Sequence, residues 1–488
     1  MKTKYKKLIA FFAPLLLSGC EKFNTVDTPI NKTSTESAFT SDLNAAGVVN
    51  GIYGQMSNNY IFGYNIGGTC FFAELSADNL VINPDSRTDL SPWYQNFVDP
   101  TYSFSGSNSY WNNIYTLMYT INSSIEALTD NKNLTPAVNK RLLGEAYFLR
   151  SFCYFYLVNL YGDVPLILTS DYTANIRVAR NSVSSVYDQI VTDLGKAEGL
   201  LDNTYVGGDA VTTTTKRLRP NLAAVNALQA RVFLYQKNYA GAEAAAAKVI
   251  AQSEQYAFTD LNSTFLANSK ETIWALQSVN LGYNTFEAYL YTITDQGITD
   301  AQPSYLSASF MKSFEPGDDR KNKWTDSTTV SGIVYPYVSK YKRNYLDGSA
   351  NLEEYPIVLR FAEQYLIRAE ARNEQGNTTG AVDDLNALRA RSRAAVTADI
   401  PNPLPDLSSS LTKDQLKPII LNERRVELFT EWGHRWFDLK RSSTMDAIMI
   451  EAEKYKGGTW VAYKSLYPIP VSEMLLNGLL TQNPGYTK

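Results

Sequence analysis

Only one histidine, His434, occurs among 488 residues. A Ser–His–Asp triad would have to use it, and a zinc site with two or more histidine ligands is excluded. Cysteine is nearly as scarce: Cys20, Cys70 and Cys153 are the only three. Cys153 sits in an apolar helical run and reads as a small core residue rather than half of a disulfide. The body of the chain has no basic block and the formal net charge is −4, which makes it a poor binder of nucleic acid. Gly-rich phosphate loops and a G-x-S-x-G elbow are both missing. No cofactor and no metal site is expected. A glycosidase carboxylate pair survives these exclusions, since it needs just two acids brought together in space.

What is present begins at the N-terminus. Lys2, Lys4, Lys6 and Lys7 precede a short apolar run, Leu8–Leu17 (LIAFFAPLLL). About ten residues, against the roughly twenty of a spanning helix, read as a secretory signal over residues 1–19. The run ends in Leu17-Ser18-Gly19-Cys20, which resembles a bacterial lipobox, so Cys20 is the expected lipidation site and mature N-terminus. Lipid would anchor the chain to a membrane without spanning it. Removal of the signal deletes four lysines and leaves a more acidic chain. Residues 20–36, Cys20 followed by EKFNTVDTPINKTSTE, are polar and read as a tether.

Helical patterns dominate the single domain expected over 37–488. Residues 141–161 place Leu142, Ala146, Leu149, Cys153, Tyr156 and Leu160 on one stripe, and Gly162 with Pro165 ends the run. Two later segments look alike, Ala227–Ile250 and Leu366–Arg389. Each reads as helix, polar turn, helix, with Ala230 and Ala242, or Ala369 and Ala381, at equal spacing. Small residues so placed let the helices of a tetratricopeptide-like hairpin approach closely. Residues 57–111 and 255–358 differ, being rich in Tyr, Thr, Asn, Ser and Gly, with short alternations at Thr272–Gln277 and Ile333–Val338. They read as an irregular lobe of loops and short strands, the kind of surface that carries binding. Tyrosine is in excess, 33 against 21 Phe, which suits wet recognition surfaces.

The most chemically loaded stretch is residues 422–441, NERRVELFTEWGHRWFDLKR. Glu431 and His434 match the Glu-x-x-His of di-iron bundles, but those sites need a second such histidine. Glu423, Glu427, Glu431 and Arg435 fall on one i, i+4 stripe, and His434–Asp438 is another such pair. Val426, Phe429, Gly433, Trp436 and Phe437 make an apolar side. The mixture reads as a helix-packing network rather than an active site.

Taken in order, Cys20 in its lipobox, Gly144–Pro165, Gly317-Asp318-Asp319-Arg320, Leu359–Arg372, Asn422–Arg441, Tyr467–Pro470 and Gln482–Tyr486 resemble the SusD/RagB family of Bacteroidetes outer-membrane lipoproteins. The resemblance implies a mainly α fold, tetratricopeptide-like hairpins supporting a loop-rich lobe. It also implies a non-catalytic cell-surface binder that delivers oligosaccharide to a partner TonB-dependent outer-membrane transporter. Rival readings are a lipid-anchored glycoside hydrolase and a helical-hairpin scaffold or peptide-binding surface protein. Sugar rings stack on Trp and Tyr, while Asn, Asp and Arg bond their hydroxyls. On that ground the expected ligand residues are Arg87, Trp93, Tyr94 and Asn96 in RTDLSPWYQN, with Tyr283 and Trp324 from the middle region. Trp274 and Trp111 are expected to be structural.

Overall fold

The computed structural model describes residues 38–58, 68–85, 87–101, 107–278, 284–343 and 352–487. The signal, Cys20, all of the tether and Tyr283 lie outside them. The longer helices are α1 (Asp42–Asn58), α2 (Gly68–Ser76), α3 (Ser107–Leu128), α4 (Pro136–Tyr161), α5 (Val183–Leu200), α6 (Leu222–Tyr235) and α7 (Tyr239–Ile250). After the lobe come α8 (Phe361–Glu374), α9 (Thr378–Ser392), α10 (Lys413–Leu428), α11 (His434–Arg441) and α12 (Met445–Lys456).

Helix α4 starts with a proline in its first turn and stops at Gly162, whose φ of 73° no β-carbon favours. Its sequence suggested one apolar stripe, yet it is buried on nearly every side. Packed against α3 and α5, it can be apolar all round. The charges it carries inward are paired: Arg150 grips Asp193 of α5 with two bonds of 2.7 and 2.8 Å.

The two expected hairpins are α6–α7 and α8–α9, and Ala230, Ala242, Ala369 and Ala381 are all fully buried at their contacts. A further likeness ties the pair together. Asn238 caps α7 by accepting from the amide of Gly241, and Asn377 caps α9 by accepting from Gly380. In both turns a β-carbon on the glycine would meet the capping amide, at 2.8 and 2.6 Å, so each Asn-x-x-Gly is one device. Helix α7 then packs on α8, joining hairpin to hairpin through Leu234, Ala245, Ile367 and Ala371.

The lobe is built from short antiparallel pairs. Strand β1 (Leu80–Ile82) pairs with β3 (Ser304–Leu306), placing Val81 opposite Tyr305. Strand β2 (Thr272–Ala275) pairs with β6 (Ile357–Arg360), and β4 (Thr325–Val330) with β5 (Ile333–Val338) through a Ser331-Gly332 turn. The alternation at 333–338 is therefore a strand throughout, and that at 272–277 is a strand over Thr272–Ala275. Trp274 and Trp111 are core residues, as expected, and so is Cys153, a free thiol. One apolar cluster runs from α4 through Trp274 to Leu306 and Trp324 of the lobe. No helix among the described residues is long and apolar enough to cross a membrane.

Candidate functional site

The loaded stretch 422–441 is not one helix. α10 ends at Leu428, the chain turns through Thr430, Trp432 and Gly433 at positive φ, and α11 begins at His434. A β-carbon on Gly433 would sit 2.8 Å from that of Ala73, so the turn demands glycine. The turn also breaks the register of the expected pairs. Asp438 takes Arg424 (2.7 Å) and Arg441 (2.8 Å) instead of His434. Glu431 takes Lys340 (2.7 Å) and Arg360 (3.0 Å) instead of Arg435.

These side chains form a buried ionic lattice. Arg360 reaches Glu271 at 2.9 Å and Glu427 at 2.6 Å, while Arg320 reaches Asp318, Glu423 and Glu427 at 2.6–2.9 Å. The Gly317-Asp318-Asp319-Arg320 motif thus exists to deliver Arg320, with Gly317 at φ 77° pressed against Pro403. Burial pushes the Glu427 carboxyl up, but Arg391, Arg360 and Arg320 outweigh it and hold the group well below the ordinary range. His434 is neutral: burial, then Arg231 and Arg424, drive its pKa far down. Its 3.9 Å approach to Glu363 is therefore not an ion pair. The lattice welds β6, α10, α11 and the lobe, and leaves no carboxylate or imidazole facing solvent.

A ligand role for Arg87, Trp93, Tyr94, Asn96 and Trp324 needs side chains open to solvent, and the structure corrects that expectation by burying all five. Trp93 is fully buried between Phe72 (4.8 Å) and Tyr467 (4.7 Å). Tyr94 is buried with its hydroxyl on the carbonyl of Tyr455. Arg87 is spent on Asp89 and the carbonyl of Asp300, and Asn96 on the carbonyl of Ser76. Trp324 is fully buried under Lys340, with its indole N–H on the carbonyl of Leu261. None offers a ring face or free amide to a ligand. The short helix Ser91–Tyr94 explains this, since it folds the aromatic pair inward. The aromatic that this stretch does expose is Phe97, at 64%, beside a shallow depression lined by Pro84, Thr88, Ser91 and Gln95.

Behind the same loop lies a larger opening. A cavity of about 830 Å³ is lined by Val81 and Tyr305 of the β1–β3 pair, Ser309 and Lys312 after it, and Ile448, Glu451, Lys454 and Tyr455 along α12. Its floor is Asp78, clamped by Arg425 at 2.8 Å and Arg435 at 2.6 Å. Burial opposes ionisation of Asp78, but the two arginines prevail and hold its carboxyl well below the usual range. Tyr305 and Tyr455 are half-buried walls. The Tyr455 hydroxyl donates to the carbonyl of Asp78 at 2.8 Å, and Tyr335 of β5 meets Tyr305 edge-to-face at 5.4 Å. Both rings are thereby held in place with part of each exposed. Of the two acids here, Asp78 is neutralised and Glu451 is exposed and bonded to Lys454 at 2.7 and 2.6 Å. Neither is poised as a general acid. The arrangement suits binding of a polar ligand with apolar faces. Sequence reasoning missed Tyr305 and Tyr455; the signals were an aromatic alternating within Ser304–Leu306 and a tyrosine three and four residues beyond the Ala452 and Glu451 turn of an amphipathic helix.

Two family models match the chain. Residues 270–486 match the SusD family, and residues 80–234 match a family described as starch-binding associating with outer membrane. The chain is 29% identical to SusD-like protein P2 of Formosa agariphila, over 99% of this chain and all of that one. It is 24% identical to the starch-binding protein SusD of Bacteroides thetaiotaomicron, over 74% and 75% of the two chains. Its fold is similar to that of a SusD superfamily protein of Bacteroides vulgatus, with a TM-score of 0.76 at 19% identity, over 91% and 99% of the chains.

Proposed function

Because the chain belongs to the SusD family, we propose that it is a non-catalytic cell-surface glycan binder whose ligand enters the cavity between β3 and α12. The observation that carries this reading is the pair of half-buried tyrosines, Tyr305 and Tyr455, held by hydrogen bonds and ring contacts on the walls of an open 830 Å³ cavity. Their apolar faces suit the C–H faces of sugar rings, and Ser309, Lys312, Glu451 and Lys454 supply polar contacts around them. Pre-formed aromatic walls with few polar contacts give affinities of roughly micromolar to millimolar order, which suits a ligand that must be handed on.

The starch-binding name of one relative and of one matching family supports a polysaccharide as ligand. A lipid on Cys20 would hold the protein on the outer membrane, and delivery would be to a TonB-dependent, SusC-like transporter. Isothermal titration of the purified mature chain against a panel of oligosaccharides tests the reading. Binding of at least one glycan, lost in Tyr305→Ala with the melting temperature unchanged, is the expected result. Turnover of a glycan, or no binding across the panel, overturns it.

A further inference from the structure

The cavity between β3 and α12 carries a charge opposite in sign to that of the chain around it. Lys312, Arg425, Arg435 and Lys454 line it against only two acids, Asp78 and Glu451. The formal net charge of the whole sequence is −4. Glu451 is taken by Lys454, so the excess belongs to the two arginines and Lys312. Lys312 is exposed, and its ammonium meets no acid among the described residues.

The two arginines are short of acceptors. Arg435 gives Nε and Nη2 to the Asp78 carboxylate, at 2.6 and 2.9 Å. Arg425 gives Nη2 to the same carboxylate at 2.8 Å and to the Ser309 hydroxyl at 3.4 Å, and Nε to Asn79 at 2.8 Å. The Nη1 group of each bonds to nothing among the described residues, and neither atom is fully buried. Elsewhere the fold completes such a pair. Arg141 and Arg219 also share one carboxylate, that of Glu145, yet every nitrogen of both has an acceptor, on Thr204, Pro220, Asn50 and Gly208 besides the acid. The other acids that act on Arg435, Asp438 and Glu74, are occupied. Asp438 is held by Arg424 and Arg441, and Glu74 accepts from Asn79.

The cationic and aromatic parts of the cavity meet at one residue. The Tyr455 hydroxyl donates to the carbonyl of Asp78 at 2.8 Å, so the ring that would stack on a sugar ends at the clamped acid. A sugar hydroxyl can accept from the spare N–H groups, but a carboxylate or sulfate does so about twice as strongly and cancels the excess charge. The walls of a cleft lined by one sign of charge focus that field on whatever enters. We infer that the glycan bound here is anionic, a polysaccharide bearing carboxylate or sulfate groups whose oxyanions are held by Arg425, Arg435 and Lys312. The inference rests on the glycan-binding reading of this cavity and adds the chemical class of its ligand.

Isothermal titration of the purified mature chain with matched ligands tests it. Galacturonate, mannuronate and glucuronate oligosaccharides are set against their methyl esters, and sulfated galactan and fucan fragments against their desulfated forms. Maltotetraose and laminaritetraose represent neutral glycans. One acidic series should bind at least about tenfold tighter than its neutral counterpart and weaken as salt rises from about 0.05 to about 0.5 M. Which series binds separates carboxylate from sulfate. Lys312→Glu should weaken that binding about tenfold, and Arg425→Gln should do the same where melting curves show it folded. Lys140→Glu, the same charge change on an exposed lysine of α4, should leave it unchanged. If the tightest ligand is neutral, or both cavity variants bind the acidic glycan as the wild type does, the inference fails while the glycan reading stands. It fails also if hexaglutamate binds as tightly as any glycan, since the cavity would then read charge without sugar. If no glycan binds at all, the glycan reading falls and this inference with it.

Discussion

The phenolic hydroxyl of Tyr94 donates to the main-chain carbonyl of Tyr455 at 3.1 Å. A residue that looked like a ligand contact thus serves as the strut behind one. The bond fixes the end of α12 against the 87–97 loop, where Gln95 also reaches the carbonyl of Lys456. The Tyr455 ring stands on that end, so its angle in the cavity depends on a side chain that meets no ligand.

Tyr455→Ala should lower glycan affinity about tenfold or more, the loss expected of one well-placed aromatic contact. Tyr94→Phe should lower it less, because the ring still packs while the strut is gone. Titration calorimetry measures both, and a Tyr455→Ala variant that binds normally removes this cavity from consideration.

Trp93→Ala should behave as a core truncation. With both ring faces packed, its removal should cost about 3–5 kcal/mol of stability. Denaturant unfolding measures this, and a stable variant with only its glycan affinity lost would restore Trp93 to the ligand site.

Glu427→Gln should destabilise by about 3–5 kcal/mol, since it leaves Arg320, Arg360 and Arg391 with a neutral acceptor inside the lattice. Affinity for glycan should be unchanged in whatever protein folds, because the lattice does not line the cavity. Paired melting and titration experiments separate the two effects.

Glu287 gives a pH signature. Burial above all, with Glu354 nearby adding to it, raises its carboxyl to about 7. Glu354 is itself raised to about 7, and Cys70, Tyr291 and Tyr341 face the same pocket of charge. A folded-state value above the unfolded one means stability that is full below about pH 4.5 and lost as pH rises through about 7. Glutamine mimics the protonated acid and cannot ionise. The Glu287→Gln variant should therefore gain on the wild type by about 3 kcal/mol between about pH 5 and about pH 9. Melting temperatures across that range, parallel in the two proteins, would show the carboxyl to be unperturbed.

The helical half of the fold was legible because its signals are local. Paired alanines at Ala230/Ala242 and Ala369/Ala381 mark close helix contact, and alternation marks β2 and β5. The ligand face was not legible, because inside and outside are decided by partners far along the chain. Nothing near Trp93 announces Tyr467, and nothing near Trp324 announces the carbonyl of Leu261 or Lys340. The histidine-bearing stretch was legible as packing, since its charged and apolar stripes lie side by side and a single histidine excludes a di-iron pair. Its break at Gly433 was missed, because Ala73, the contact that needs glycine, lies on α2.

The clasp formed by residues 481–483 also constrains the order in which this fold can close. Asn483 donates to the carbonyls of Tyr161 and Tyr467, and Arg180 finds two of its acceptors on Thr481 and Asn483. The final turn of the longest described helix is therefore completed by a residue 322 positions further along the chain. A chain lacking residues 481–483 would hold that helix half-finished, with the carbonyls of Tyr161 and Tyr467 bare. Closure of the body accordingly waits for residues 481–483.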